Sequence, residues 1–121
     1  MTGVQARMIR TLLGWEGVTQ TPHRFGGVEF RLGKREIGHI HGDWLVDIPF
    51  PTKVRDEVVA VGLADPHHIL PNSGWISRYL RRPEDVDTAI ALLRRSYEMA
   101  LTQRKKRGVS DSASGTQREA Q

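Results

Sequence analysis

Glu36-Ile37-Gly38-His39-Ile40-His41-Gly42-Asp43-Trp44-Leu45-Val46-Asp47 is the stretch on which the fold depends. Two histidines alternate with apolar residues, a Gly-Asp pair follows, and a second apolar run begins. Alternation is the two-residue period of a β-strand. Glycine at the first central position of a two-residue turn accepts the positive φ of a type II′ hairpin. The stretch therefore predicts two antiparallel strands, about Arg35 to His41 and Trp44 to Ile48, joined at Gly42-Asp43.

Upstream, Val28-Glu29-Phe30-Arg31-Leu32 alternates strictly and ends at Gly33-Lys34, a second turn of the same kind. Directly opposed residues of an antiparallel pair share a face. The first turn pairs Leu32 with Arg35, Arg31 with Glu36, Phe30 with Ile37 and Val28 with His39. The second pairs His41 with Trp44, His39 with Val46 and Ile37 with Ile48. This register puts His39 and His41 on the core face with Val28, Phe30, Trp44 and Val46. It puts Glu29, Arg31, Glu36, Ile40, Leu45 and Asp47 on the other face.

The flanks are helical. Met8, Ile9, Leu12 and Leu13 have helical spacing within residues 4–13, and Gly14 is a C-cap. Trp15 to Pro22, with two glycines and a proline, reads as loop. Pro49-Phe50-Pro51 stops the third strand, since proline donates nothing to a ladder. Residues 52–61 form a helix with Val54, Val58 and Val61 on one side. Ala64 to Ser73 is a loop, and Trp75 to Leu80 is a fourth strand. Pro83 opens the last helix, in which Val86, Ala89, Ile90, Leu93, Tyr97, Ala100 and Leu101 recur at three- and four-residue spacing. The order α-β-β-β-α-β-α predicts a two-layer α+β domain over 1–102, an antiparallel four-stranded sheet with helices on one face. Residues 103–121 form a basic tail, mostly disordered, because its end lacks the apolar residues that offset ordering entropy.

Composition narrows the function. The 121 residues carry a net charge of +4 and are 38% hydrophobic and 26% charged. Four of the 18 basic residues are Arg104-Lys105-Lys106-Arg107, which leaves 14 against 14 acidic residues. The high pI thus describes the tail, which argues against nucleic-acid binding by the domain itself. No apolar run has the roughly 18 residues of a membrane span, and Met1 to Leu13 does not read as a signal peptide. Without cysteine there is no disulfide, thiolate site or thiol nucleophile, in keeping with the cytoplasm. Oligomeric state has no signature.

His39 and His41 project the same way from their strand, with Cβ atoms about 6.5 Å apart. Three readings stand: hydrogen-bonded core histidines, an acid/base pair facing an organic ligand, or metal ligands completed by His68 or Asp43. His67 and His68 follow Asp65-Pro66 in a loop, where at most one of the two side chains is expected to face a pocket. Trp44, Trp75 and Tyr79 are either core or the walls of an aromatic ligand's pocket. Arg24, just before Gly26-Gly27, could hold an anion.

His23-Arg24-Phe25-Gly26-Gly27-Val28-Glu29-Phe30, Glu36-Ile37-Gly38-His39-Ile40-His41-Gly42-Asp43, Pro66-His67-His68 and Ser73-Gly74-Trp75-Ile76 resemble the luciferase-domain family, over about residues 22–101. That domain is named for the fungal bioluminescence enzyme and has many small bacterial members. A looser likeness is to YjbR-type domains, which would imply a non-catalytic module contacting nucleic acid or protein. The fungal enzyme oxidises a hydroxypyrone with molecular oxygen. The luciferase-domain resemblance implies a small-molecule pocket, oxidation of an aromatic or enolic substrate, and no metal or other cofactor. It implies Glu36, His39, His41 and His68 as the catalytic positions. Arg24, Trp44, His67, Trp75 and Tyr79 are then the candidate ligand-binding residues.

Overall fold

A computed structural model describes residues 1–115. The elements are α1 (Val4–Leu13), β1 (Val18–His23), a 3-10 turn (Arg24–Gly26), β2 (Gly27–Leu32), β3 (Arg35–His41), β4 (Leu45–Pro49), α2 (Thr52–Ala60), β5 (Asp65–Pro66), β6 (Trp75–Tyr79) and α3 (Pro83–Gly115). The strands form one antiparallel sheet in the order β1-β2-β3-β4-β6-β5. The α+β class with an antiparallel sheet is as expected, but the sheet has six strands rather than four.

The two additional strands carry little apolar signal. In β1, Val-Thr-Gln-Thr-Pro-His, only Val18 is buried. It is held as an edge strand by its ladder to β2, from Val18 opposite Leu32 to His23 opposite Gly27. Pro22 is tolerated there because an edge strand leaves one row of N–H positions unpaired. β5 is two residues long and pairs with β6.

The first hairpin begins in the expected register, with Leu32 opposite Arg35 and Arg31 opposite Glu36. The register then shifts. Phe30 faces Gly38, Glu29 faces His39 and Val28 faces Ile40, so Ile37 is the extra residue of a β-bulge. The second turn also departs from expectation. Gly42, Asp43 and Trp44 all lie between the paired residues His41 and Leu45, so the loop has three residues and not two. His39 therefore faces Asp47, and Ile40 faces Val46.

The bulge and the longer turn slip the pattern by one residue, and a one-residue slip exchanges the faces. The core face carries Phe30, Ile40, Val46, Ile48 and Ile76, which pack with Met8, Leu12, Val58, Leu93 and Tyr97 from the helices. The expectation that His39 and His41 share this face with Phe30, Trp44 and Val46 is thus corrected. They lie on the opposite face together with Asp47, and Trp44 is 56% exposed.

The bulge is tied to the helical layer. The buried Ser96 hydroxyl of α3 donates to the Ile37 carbonyl at 2.9 Å. At Gly38, α3 lies so close that a Cβ would meet Leu93 Cδ2 at 2.6 Å and the Asp47 carbonyl at 3.0 Å. Ser96→Ala leaves the Ile37 carbonyl without its partner, and a loss of about 1–2 kcal/mol is expected in urea unfolding.

α2 begins after Pro51 as expected, but Val61, expected on its apolar side, follows its end and is 70% exposed. The last helix passes the expected end near Leu101 and runs through the basic residues to Gly115. The expected disorder beyond Gly108 falls partly on this helical backbone and, from residue 116, outside the described residues. No described helix is long and apolar enough to cross a membrane.

Candidate functional site

The sheet face away from α3 gathers all five histidines of the chain around one carboxylate. Asp47 is 1% exposed and sits mid-strand in β4, between β3 and β6. Its Oδ1 accepts the Ser77 hydroxyl across the β4–β6 pair at 2.7 Å. Its Oδ2 faces His41 Nε2 at 3.0 Å, His39 Nε2 at 3.2 Å, and His67 and His68 Nε2 at 3.4 Å each.

Each neighbour arrives by a separate device. The bulge at Ile37 puts Glu36 and His39, three residues apart, on one face, where His39 Nδ1 lies 2.7 Å from Glu36 Oε2. Both acceptors of His39 are carboxylates, so both ring nitrogens carry hydrogens and the ring is cationic. Burial opposes that charge, but the hydrogen bonds to Asp47 and Glu36 outweigh it and hold the His39 pKa up at about 9. Burial would likewise raise Asp47, yet bonds from His39 and Ser77 keep its carboxyl well below the usual range.

His41 behaves in the opposite way. Burial pushes its pKa down, the Asp47 hydrogen bond only partly offsets this, and the charge of His39 pushes it further down. Its Nε2–H donates to Asp47, which leaves Nδ1 as the ring's free nitrogen among the described hydrogen bonds. His67 has its own fixed tautomer. Its Nδ1 accepts the backbone N–H groups of Ile69 and Leu70 at 3.1 and 3.0 Å, so its hydrogen is on Nε2, toward Asp47. Burial lowers its pKa as well. His23 closes the cluster from the end of β1, stacked on His39 at 3.9 Å and bonded to Glu29 at 3.2 Å.

A cavity of about 530 Å³ opens over this centre. Glu36, His39, His41 and His68, expected as the reacting positions, all line it, and so do Arg24, Trp44, His67 and Trp75. His67 and His68 both face it, although only one of the pair was expected to. Tyr79 lies outside it, in a smaller cavity of about 300 Å³ with Arg78 and Arg81. Leu45, Ile69 and Leu70 make the remaining wall apolar, and Ile69 is 72% exposed at the rim. Two overlapping sets, His41-Asp47-His68 and His23-His39-His41, bring three potential ligand atoms within 4.8 Å of one another.

Sequence reasoning missed Asp47, His23 and Ser77. For Asp47 the signal was present but misassigned: a three-residue turn at Gly42 moves it to the histidine face. His23 stands in a segment with no alternation, and although it opens one of the stretches that resemble the family, no role was assigned to it.

The sequence model of the family described as Luciferase domain matches residues 34–96, just over half of the chain. The chain belongs to the luciferase-domain family. Within this luciferase domain the matched stretch holds Glu36, His39, His41, Asp47, His67, His68, Trp75 and Ser77, while His23 and Arg24 precede it. No curated protein and no solved structure matches the chain.

Proposed function

We propose that this luciferase-domain protein is a small cytoplasmic enzyme that binds a compact aromatic or enolic molecule by its ionisable hydroxyl group and oxidises it with dioxygen. The observation that carries the reading is the unlike pair on Asp47. His39 is a cation held between two carboxylates, while His41 has a ring nitrogen without a partner among the described residues. Two titratable groups pushed apart in this way divide the work of acid and base. His41 Nδ1 takes the hydroxyl proton, as its Nε2–H already donates to Asp47. The His39 imidazolium and Arg24 stabilise the oxyanion that results. The walls of Trp44, Trp75, Leu45 and Leu70 suit a flat apolar ring, and the cavity volume suits a small molecule.

The reaction type follows from the family resemblance. The electron pair released by deprotonation resides partly on the ring carbon adjacent to the one that bears the oxygen. That carbon bonds to dioxygen, and the proton taken up by His41 returns to the distal oxygen. The product is a hydroperoxide in which all atoms are accounted for. A family name alone confers no activity, and light emission forms no part of the proposal.

A 4-hydroxy-2-pyrone probe tests it. Its ultraviolet spectrum reports ionisation, and Trp44 and Trp75 fluorescence reports binding. The expected result is a bound probe that is ionised below its solution pKa, with both effects lost in His39→Leu and oxygen uptake lost in His41→Ala. A probe that binds in its protonated form, or binds equally to His39→Leu, would overturn the reading.

A further inference from the structure

We propose that a divalent first-row transition metal binds between His41 Nε2, Asp47 Oδ2 and His68 Nε2, on the floor of the cavity. The three ligand atoms lie within 4.8 Å of one another. Asp47 Oδ2 is 3.0 Å from His41 Nε2 and 3.4 Å from His68 Nε2. A metal about 2.1 Å from each donor would set neighbouring donors roughly 3.0 Å apart in an octahedron and 3.4 Å in a tetrahedron. The two distances to Asp47 Oδ2 fall in that range, and all three donors lie within 4.8 Å of one another.

Hydrogen bonding alone does not account for the arrangement. A carboxylate oxygen has two lone-pair directions. Oδ2 instead faces four ring nitrogens within 3.4 Å, while Ser77 occupies Oδ1. Two acceptor directions cannot serve four ring nitrogens, whereas a cation shared with His41 and His68 replaces two of those four contacts with one. The Ser77 hydroxyl then orients the ligating carboxylate, as outer-shell partners do at metal centres.

The alternative set, His23-His39-His41, is less suited. It has no anionic ligand, and both nitrogens of His39 are already bonded to carboxylates. His41 and His68 are the more open rings, with side chains 22% and 34% exposed against 9% for His39. Two imidazoles and one carboxylate leave coordination positions free, the pattern that suits Fe(II) and its neighbours. Those positions face the cavity, where water or the ionised oxygen of a small molecule would complete the shell. The metal takes the place of the hydrogen on His41 Nε2 and leaves that ring's hydrogen on Nδ1, so the base role proposed for Nδ1 belongs to the metal-free chain, and in the loaded chain the cation itself would favour the ionised hydroxyl. This inference rests on the proposed function only for the identity of that last ligand.

The test is titration of the chelator-stripped full chain with Co²⁺ alone, read by the visible absorption of bound cobalt. One equivalent is expected to bind. His41→Ala and His68→Ala should each weaken binding at least about 100-fold, and His23→Ala should leave it within a few-fold. His68 is partly exposed in a loop, so His68→Ala is expected to keep the wild-type circular dichroism and melting temperature. No cobalt band, or a band that survives His68→Ala, overturns the inference. If cobalt does not bind while the stripped chain still ionises the pyrone probe, the metal is wrong and the proposed function stands. If cobalt binds through His41 and His68 but the pyrone leaves its spectrum unchanged, the metal stands and the substrate class is wrong.

Discussion

Asp47→Asn is expected to lower stability by about 3 kcal/mol, because it removes the charge compensating a buried imidazolium, and to abolish binding of the pyrone probe. The substitution keeps the shape of the side chain, so what is lost is charge. His39 retains Glu36 but loses its second carboxylate. Its pKa in the metal-free chain, held at about 9, should fall toward 6.5. The sign of the pH dependence follows. A histidine whose folded pKa lies above its unfolded value stabilises fully below about pH 6.5, and that contribution disappears as pH rises through about 9. Urea unfolding of the chelator-treated wild type should therefore show stability declining between those limits, with a shallower decline in Asp47→Asn. Equal slopes in the two proteins would mean that Asp47 does not hold the His39 charge. The His39 ring resonances, followed against pH, give the same answer independently.

Gly74→Ala is expected to cost about 3 kcal/mol or more, through backbone overpacking that no rotamer change relieves. A Cβ there would lie 1.9 Å from the Phe50 carbonyl oxygen and 3.2 Å from its carbon. Phe50 N–H in turn donates to the Gly74 carbonyl at 3.0 Å, so the two segments cannot part without breaking that bond. The Gly74 position also anchors the loop that brings His67 and His68 to the centre. Next to it, Ser73 Oγ donates to the Leu70 carbonyl at 2.7 Å and accepts the Trp75 N–H at 3.1 Å. The variant should lose melting temperature and weaken Co²⁺ binding together. A wild-type melting temperature would show that the strands separate there without cost.

Part of this was legible in the residues. Gly33-Lys34 marked the first turn, and Arg31 does face Glu36. Pro51 and Pro83 marked helix starts. The Glu36, His39, His41 and His68 grouping was legible only through likeness to a family, since periodicity put Glu36 on the far side of the sheet. A bulge is invisible to periodicity when the residues around it, Ile37 and Gly38, are apolar and small. The length of the Gly42 turn was equally hidden, because Trp44 reads as a strand residue although it lies in the loop with its ring half exposed. β1 escaped notice because an edge strand can be held by backbone hydrogen bonds with a polar sequence.

The sequence by itself determined the α+β class, the order of the principal elements and part of the core, including Phe30, Val46, Ile48, Val58 and Leu93, since those follow from local periodicity and turn residues. Only the tertiary structure decided which sheet face the histidines occupy and that Asp47 is their centre. The physical reason is the two-residue period of a strand: one added residue at Ile37 and one at Trp44 exchange core and site. The first is held by α3 packing on Gly38 and by Ser96 bonding to the Ile37 carbonyl, contacts from residues more than fifty positions away, and at the second the Leu80 N–H donates to the Trp44 carbonyl at 2.8 Å.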